Sequence, residues 1–523
     1  MNSFFQKLIQ KPILLLLAVN ILGALFLFRN YGLSWDEPYF YQYADALGYA
    51  YSPHEWFSGH FDLENSFGPS GTDHKTRGPA YLLLARGPVH LLEKSGLDEA
   101  SAWHLVNFLF FQLGVYFLYR ILTRWVKPSA AFAASVLFAW QPLLWGHAFI
   151  NPKDPSFLTF FLGSICLGFE MIDRWADKTI NARQKLISAV PPAILLGIAA
   201  SIRILGPLAG LVVGVYAVYR FGKQFKKILP PFALYGVIAT LVMFAAWPYL
   251  WQSPVSNFIE VLRFMSDNPT ELPVLFGGEV YPAGGLPRSY LPFMLFATLT
   301  EPVWLLFGAG LALGYLKLQR QKNAIGIVSL SLVLFWFILP VAYVILRKPS
   351  MYDGLRHFMF IIPPIFIATG FVFEFLFAKF SSIWLRAGIV AILLLPGLIG
   401  IAYLHPYEYA YYNSLVGGTG KVFREYETEY WLTCYKEAVG KINQEYTELL
   451  NLYVNREAYI AAYYANDNIN ALELKGALKD VRTGDFILVN SRTNEDRKIF
   501  KDAPEIIRVT RGNATFCVIK QIP

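Results

Sequence analysis

Residues 187–220 read ISAVPPAILLGIAASIRILGPLAGLVVGVYAVYR, and this stretch decides the fold. Before its last residue, Arg220, it holds one charge, Arg203. Roughly 20 helical residues cross a hydrocarbon core about 30 Å thick, so the stretch suits two short membrane spans and is too long for one. The break belongs near Ser201-Ile202-Arg203, because an arginine at membrane depth must reach water or an anionic partner. Comparable apolar runs lie at roughly 12–30, 101–120, 129–148, 155–172, 228–247, 292–316, 324–346, 357–378 and 384–403. With the two halves of 187–220 they make about eleven spans. The expected fold class is an all-α polytopic membrane protein.

Composition agrees. Of 523 residues, 55% are apolar and only 16% charged, against roughly 25% charged in soluble domains. The net charge is +8, yet no basic cluster with interleaved aromatics appears, so nucleic acid is not an expected partner. The excess cations fall in one set of short loops: Lys7 and Lys11; Arg120, Arg124 and Lys127; Arg174, Lys178, Arg183 and Lys185; Arg220, Lys223, Lys226 and Lys227; then Lys317, Arg320, Lys322, Lys379 and Arg386. By the positive-inside rule that side is cytoplasmic. The break at Arg203 is required by this pattern, since without it the loops at 174–185 and 220–227 would face opposite sides. The run Pro12 to Phe28 lacks a small-residue cleavage site and reads as a retained first span. The expectation is a plasma (inner) membrane protein with a cytoplasmic N-terminus.

The outward face then receives the loops 31–100 and 248–291, short loops at 149–154 and 347–356, and a tail from about 404. Residues 1–403 form the expected transmembrane domain and 404–523 a small extracytoplasmic α/β domain. In the tail, 431–447 suits an amphipathic helix, and Leu450 to Val454, Asp485 to Asn490 and Thr515 to Ile519 suit strands. Cys166 lies in an apolar run and reads as packing. Cys434 and Cys517 lie in the tail, where no spacing rule decides for or against a disulfide.

Four sets of residues could carry chemistry. Trp35-Asp36-Glu37 follows the first span. Two carboxylates there either sit in water at a helix end, or one serves as a general base whose pKa is raised by its apolar surroundings. Asn151-Pro152-Lys153-Asp154-Pro155 fills a short outward loop. It reads as turn and helix-start chemistry, but it also sets Asp154 on the face that carries Asp36. Arg203, Arg356 and His357 supply cations at the same boundary. Arg203 needs an anion, either Glu301, the acid within the eighth span, or a ligand phosphate held in bidentate fashion. Aromatic residues reach 17% and suit membrane belts as well as sugar faces or an isoprenoid chain. There is no P-loop, GxGxxG or HExxH. The histidines His54, His60 and His74 match no zinc spacing. Neither a cofactor nor a divalent metal is indicated.

In order and placement these motifs resemble the GT-C membrane glycosyltransferases, in particular the protein O-mannosyltransferase and aminoarabinose transferase-like branch. Trp35-Asp36-Glu37 is similar to that family's first-loop acidic motif, and Asn151-Pro152-Lys153-Asp154 to its second-loop Asp motif. Trp247-Pro248-Tyr249-Leu250-Trp251 and Leu286-Pro287-Arg288-Ser289-Tyr290-Leu291-Pro292 also resemble family phrases. So does His405-Pro406-Tyr407-Glu408, followed by Tyr412-Asn413 and Gly417-Gly418. Glu301 departs from the pattern, standing where a small or hydroxyl residue is expected. The tail does not resemble the carbohydrate-binding loop of eukaryotic protein mannosyltransferases. The resemblance implies a sugar donor linked to undecaprenyl or a related polyprenyl phosphate, with its head at the outer boundary and its isoprenoid tail in a groove between spans, and membrane lipid as a further partner. It implies Asp36 as base, with Glu37 or Asp154 orienting it or the sugar, and inversion at the anomeric carbon. Arg203, Arg356 and His357 would hold the donor phosphate; Lys153, Arg288, Tyr290 and Glu301 would line the substrate. The acceptor, a protein, lipid or glycan, stays open. A transporter or lipid flippase is the alternative that intramembrane Arg203 and Glu301 raise.

Overall fold

The computed structural model describes residues 12–69, 71–266 and 271–523. Lys7 and Lys11, part of the expected cytoplasmic charge, lie outside the described residues. Up to Leu404 the chain is mostly helix. Glu99–Leu122, Asp154–Ala176, Ala182–Ile202, Pro207–Ala245, Ala324–Arg347 and Ile383–Leu404 are long and apolar enough to cross a membrane. Two bent pairs raise the six to eight. The chain is a multi-pass membrane protein; where the sequence leads one to expect about eleven spans, six to eight of the described helices pass on length and apolarity alone. Outside that count, Pro12–Leu27 starts at the first described residue, and Pro363–Lys379, with 17 residues, stands at the short end of the crossing range. Pro207–Ala245, counted once, holds two helices, Pro207–Phe221 and Leu229–Ala245, joined by the tight turn Gly222–Ile228, whose Gly222 has φ +49°, a conformation glycine adopts without steric cost. The turn sends the chain away and back, since Leu205 before it and Trp247 after it line one cavity.

The helix Ala182–Ile202 does stop at Arg203, whose backbone is extended (φ −142°, ψ 140°), and a new helix starts at Pro207. The loop before Gly78 backs directly onto this break. A Cβ at Gly78 would lie 1.4 Å from the Ser201 carbonyl oxygen, so only glycine fits.

Two spans are bent, Pro128–Ala139 against Pro142–Ile150 by 65° and Tyr290–Thr298 against Pro302–Arg320 by 103°. Each second half begins with proline, which has no N–H to continue the first half. The freed groups meet one another. Gln141 Nε2 donates to Thr300 Oγ1 (2.9 Å) and the Thr300 N–H donates to Gln141 Oε1 (3.0 Å), so the Thr300 N–H at the second bend is satisfied inside the protein.

The expected outward loops are structured. The first holds helices Glu37–Ala50 and Ala80–Lys94. The second holds the helix Pro254–Ser266 and a hairpin of β1 (Pro273–Phe276) and β2 (Glu279–Pro282). The tail folds as a mixed sheet in the order β4-β3-β5-β7-β6, from β3 (Leu450–Val454), β4 (Ile469–Glu473), β5 (Phe486–Asn490), β6 (Glu505–Arg511) and β7 (Ala514–Gln521). β3 runs parallel to both β4 and β5, while β7 is antiparallel to β5 and β6. The helix Tyr435–Glu445 stands where an amphipathic helix is expected. Cys434 and Cys517 are buried free thiols that contact each other, and Cys166 is buried in the body. The tail grips the first loop. Tyr459 Oη donates to the Trp35 carbonyl (2.6 Å), the Trp35 N–H donates to the Trp431 carbonyl (3.2 Å), and Lys436 Nζ donates to the Tyr31 carbonyl (3.0 Å).

Candidate active site

The break at Arg203, the start of the helix at Asp154, the first loop and the tail enclose a cavity of about 330 Å³. Asp36 lines it from the N-terminal end of the helix Glu37–Ala50. Its carboxylate accepts from Arg356 Nη1 at 3.0 Å. Burial alone would raise the Asp36 pKa. The charges of Arg356 and Arg77, with the Arg356 hydrogen bond, overcome that and hold it below the usual carboxylate range. This corrects the expectation of a raised pKa. The carboxylate has apolar surroundings, but it also has an arginine.

Glu37, one residue on, points elsewhere, because successive helical residues project about 100° apart. It is fully buried and lies outside the cavity lining. It accepts from Tyr41 Oη (2.7 Å) and the Ser34 N–H (2.7 Å), and His104 Nε2 lies at 3.1 Å. It therefore fixes the turn that presents Asp36 and does not face the cavity.

Asp154 opens its helix inside a local network. Asn151 Oδ1 accepts from the N–H groups of Lys153 (3.1 Å) and Asp154 (3.0 Å), while Asn151 Nδ2 donates to Asp154 Oδ2 (2.9 Å). The other Asp154 oxygen takes an ion pair from Arg203. Arg203 thus finds its anion in Asp154, and not in Glu301. Glu301 sits at the bend of the second broken span, accepts from the Ser414 N–H (2.7 Å) and is outside the lining. Lys153 faces the cavity with its ammonium 5.8 Å from the Phe40 ring centroid. Burial, then repulsion from Arg203 and Arg77, pushes its pKa well below the usual lysine range. His357 also lines the cavity and packs edge-on against Tyr352. The guanidinium of Arg356 lies between the rings of Trp431 (4.9 Å) and Tyr352 (5.2 Å), a setting that suits its planar cation.

The cavity therefore gathers two carboxylates, Asp36 and Asp154, with Arg77, Lys153, Arg203, Arg356 and His357 around apolar walls. Such a place admits an anionic head and an apolar body together. Among the described residues no group of three His, Cys, Asp or Glu side chains could hold a metal ion.

The architecture matches solved structures over nearly its whole length. ArnT from Cupriavidus metallidurans bound to undecaprenyl phosphate is similar with a TM-score of 0.52 and 13% identity, covering 97% of each chain. Its apo state gives 0.51 and 12%, covering 96% of this chain and 97% of that one. The archaeal oligosaccharyltransferase AglB from Archaeoglobus fulgidus, in complex with an inhibitory peptide and a dolichol-phosphate, gives 0.50 and 12%, over 92% of this chain and 70% of that one. The chain has the GT-C glycosyltransferase fold. No family model and no curated protein matches it in sequence.

Two further expected residues lie apart from the cavity of this GT-C body. Arg288 is exposed. Tyr290 is buried and donates to Glu427 (3.1 Å); like Glu301, both are outside the lining. Conversely, Arg77, Tyr343 and Trp431 line the cavity without having been singled out in the sequence. Arg77 sits in a polar loop where an arginine offers no contrast. Trp431 reaches in from the tail, where the sequence marked 431–447 only as an amphipathic helix.

Proposed function

We propose that the protein transfers a sugar from a polyprenyl-phosphate donor to an acceptor hydroxyl at the outer face of the membrane, with inversion. The observation that carries this reading is Asp36, a carboxylate paired with Arg356 in a cavity that Arg77 and Arg203 also line. The fold similarity to ArnT bound to undecaprenyl phosphate and to AglB with dolichol-phosphate supports a lipid-phosphate donor.

The acceptor oxygen attacks the anomeric carbon as the bond from that carbon to the phosphate oxygen breaks. Asp36 takes the hydroxyl proton, and the bonding pair leaves on the phosphate. The polyprenyl phosphate gains one negative charge in the process, and Arg203 and Arg77 stabilise it where it develops, with Lys153 as a further hydrogen-bond donor. Arg356 has a double part. In the unliganded site it suppresses the basicity of Asp36. A donor phosphate that shares Arg356 with Asp36 restores part of that basicity while Arg356 still orients the carboxylate, so donor binding prepares the proton acceptor. Asp154 holds Arg203 in place, and the apolar residues Leu205, Val261, Leu262 and Phe264 suit an isoprenoid chain.

The test uses purified protein in nanodiscs with a panel of polyprenyl-phosphate sugars. The expected result is release of free polyprenyl phosphate from one donor, lost in Asp36→Asn. Movement of an intact lipid-linked sugar across liposomes, with no covalent product from any donor–acceptor pair, would sink the reading in favour of a flippase.

A further inference from the structure

The tail domain reaches the candidate base through buried charge. Arg492 follows β5 and is 2% exposed. Its Nη1 donates to Asp353 Oδ1 (2.8 Å) and to the Tyr430 carbonyl (2.8 Å). Its guanidinium carbon lies 4.8 Å from the Trp35 ring centroid, and Glu427 Oε1 is 3.7 Å from its Nη2. Asp353 is fully buried, and its second oxygen accepts from Trp431 Nε1 (3.1 Å) and Arg356 Nη2 (3.0 Å). The other Arg356 nitrogen, Nη1, holds Asp36. Four alternating charges, Arg492–Asp353–Arg356–Asp36, thus run from the tail sheet through the 347–356 loop to the first loop. Only the last faces the cavity as a carboxylate.

We propose that Arg492 is a positioning residue for Asp36, acting through Asp353 and Arg356, so that the tail domain sets the geometry and charge of the candidate base. This rests on the reading of Asp36 as the base. Buried ion pairs contribute little net stability once desolvation is counted, so a four-member string is poorly explained as a staple. It is well suited to fixing direction. Arg356 is shared between two carboxylates, and Arg492 is what leaves one of its nitrogens free for Asp36. Without Arg492, Asp353 would have Arg356 as its only cation and would draw both nitrogens to itself. The backbone on both sides of the Arg492–Asp353 bond is held in the left-handed region, at Asp353 (φ 57°), Thr493 (φ 50°) and Asn494 (φ 61°). Non-glycine residues adopt it at a cost and persist there when the surroundings demand that geometry.

The charged and titratable groups facing Asp36 from all sides are Arg356, Arg77, His74 and Lys153, with Glu457 and Tyr459 from the tail. Withdrawal of Arg356 leaves the others in place, so the change at Asp36 has a defined sign: its carboxyl titrates at higher pH and its orientation loosens.

The experiment compares full-length wild type, Arg492→Met and Arg492→Lys in nanodiscs across pH 5–9, following polyprenyl phosphate release with kcat and KM separated. Arg492→Met should lose about ten- to a hundredfold in kcat, in the range of other outer-sphere partners, with donor KM changed less than about threefold. The acid limb of its pH profile should move up by about half a pH unit. Arg492→Lys keeps the charge but not the fork. It should show a smaller shift of the same sign, and it carries the test if the methionine variant does not fold. An acid limb unmoved in both variants, with losses that only track the yield of folded protein, would make Arg492 structural and overturn the inference. A wild type that releases nothing from any donor would instead overturn the function and this inference with it.

Discussion

The two ends of the helical body carry similar ion pairs and differ in what surrounds them. At the end away from the cavity, Arg124 pairs with Asp173 (2.5 Å), Arg220 approaches the same acid (3.7 Å), Arg120 pairs with Glu170 (2.5 Å) and Lys317 with Glu374 (3.1 Å). Asp173 lies 19 residues beyond Asp154 on the same helix, about 28 Å along its axis. At the cavity end, Asp154–Arg203 and Asp36–Arg356 are paired in the same way, but they border an open volume with Arg77, Lys153 and His357 beside them. An ion pair packed among helices clips them together. The same pair beside a cavity with surplus cations is a site a ligand can reorganise.

That contrast can be broken by substitution, and the largest effect is expected at Asp36. Asp36→Asn should lower turnover at least about a thousandfold, within the span that proton transfer contributes, with the melting temperature nearly unchanged; residual turnover near wild type would remove Asp36 as base. Arg203→Ala comes next. Turnover should fall about a hundredfold through lost charge stabilisation. Stability should fall by about 3 kcal/mol, because Asp154 is left buried without its cation. A stability loss alone, with turnover per folded molecule intact, would make this pair a clip like those at the other end.

A smaller effect concerns the tail near the cavity. Burial pushes the Glu429 carboxyl up to about 7 despite bonds from Tyr409 Oη (2.7 Å) and the Trp431 N–H (3.0 Å). Its folded-state pKa lies above its unfolded value near 4.5. The stability it contributes is therefore complete below pH 4.5 and is lost as pH rises through 7. The wild type should melt at lower temperature at pH 8.5 than at pH 6, by at most about 3 kcal/mol in stability, and Glu429→Gln should flatten that slope. An unchanged slope in the variant would assign the titration elsewhere. Smallest of all, Asp173→Asn should leave turnover within about twofold of wild type, the scale of a change remote from the site. A tenfold loss there would erase the distinction between the two ends.

Much of the body was legible in the sequence. Apolar runs are long, and the isolated charge of Arg203 marks a break that the loop charges independently require. Asp36 and Asp154 were legible as acids on one face. Their partners were not. Arg203 invited pairing with Glu301 because both interrupt apolar runs, but its partner is Asp154, which the sequence marked only as a second acid beside Asp36. Asp353 and Arg492 are 139 residues apart, and no local pattern links them. In the tail, β5 reads easily because all five residues of FILVN are buried. β4 and β6 form the edges of the sheet and expose several positions each, so INALE and EIIRVTR lack the apolar run by which a strand is recognised.

The reciprocal bonds between Gln141 and Thr300 have an evolutionary consequence. The Gln141 side chain at one bend serves both the hydroxyl and the N–H of Thr300 at the other, so the two bends form a single heritable unit. A lineage that replaced Gln141 with an aliphatic residue would strand the Thr300 N–H in an apolar interior, and the compensating change would have to arise 159 positions away. The two sites are expected to drift together or to stay fixed together.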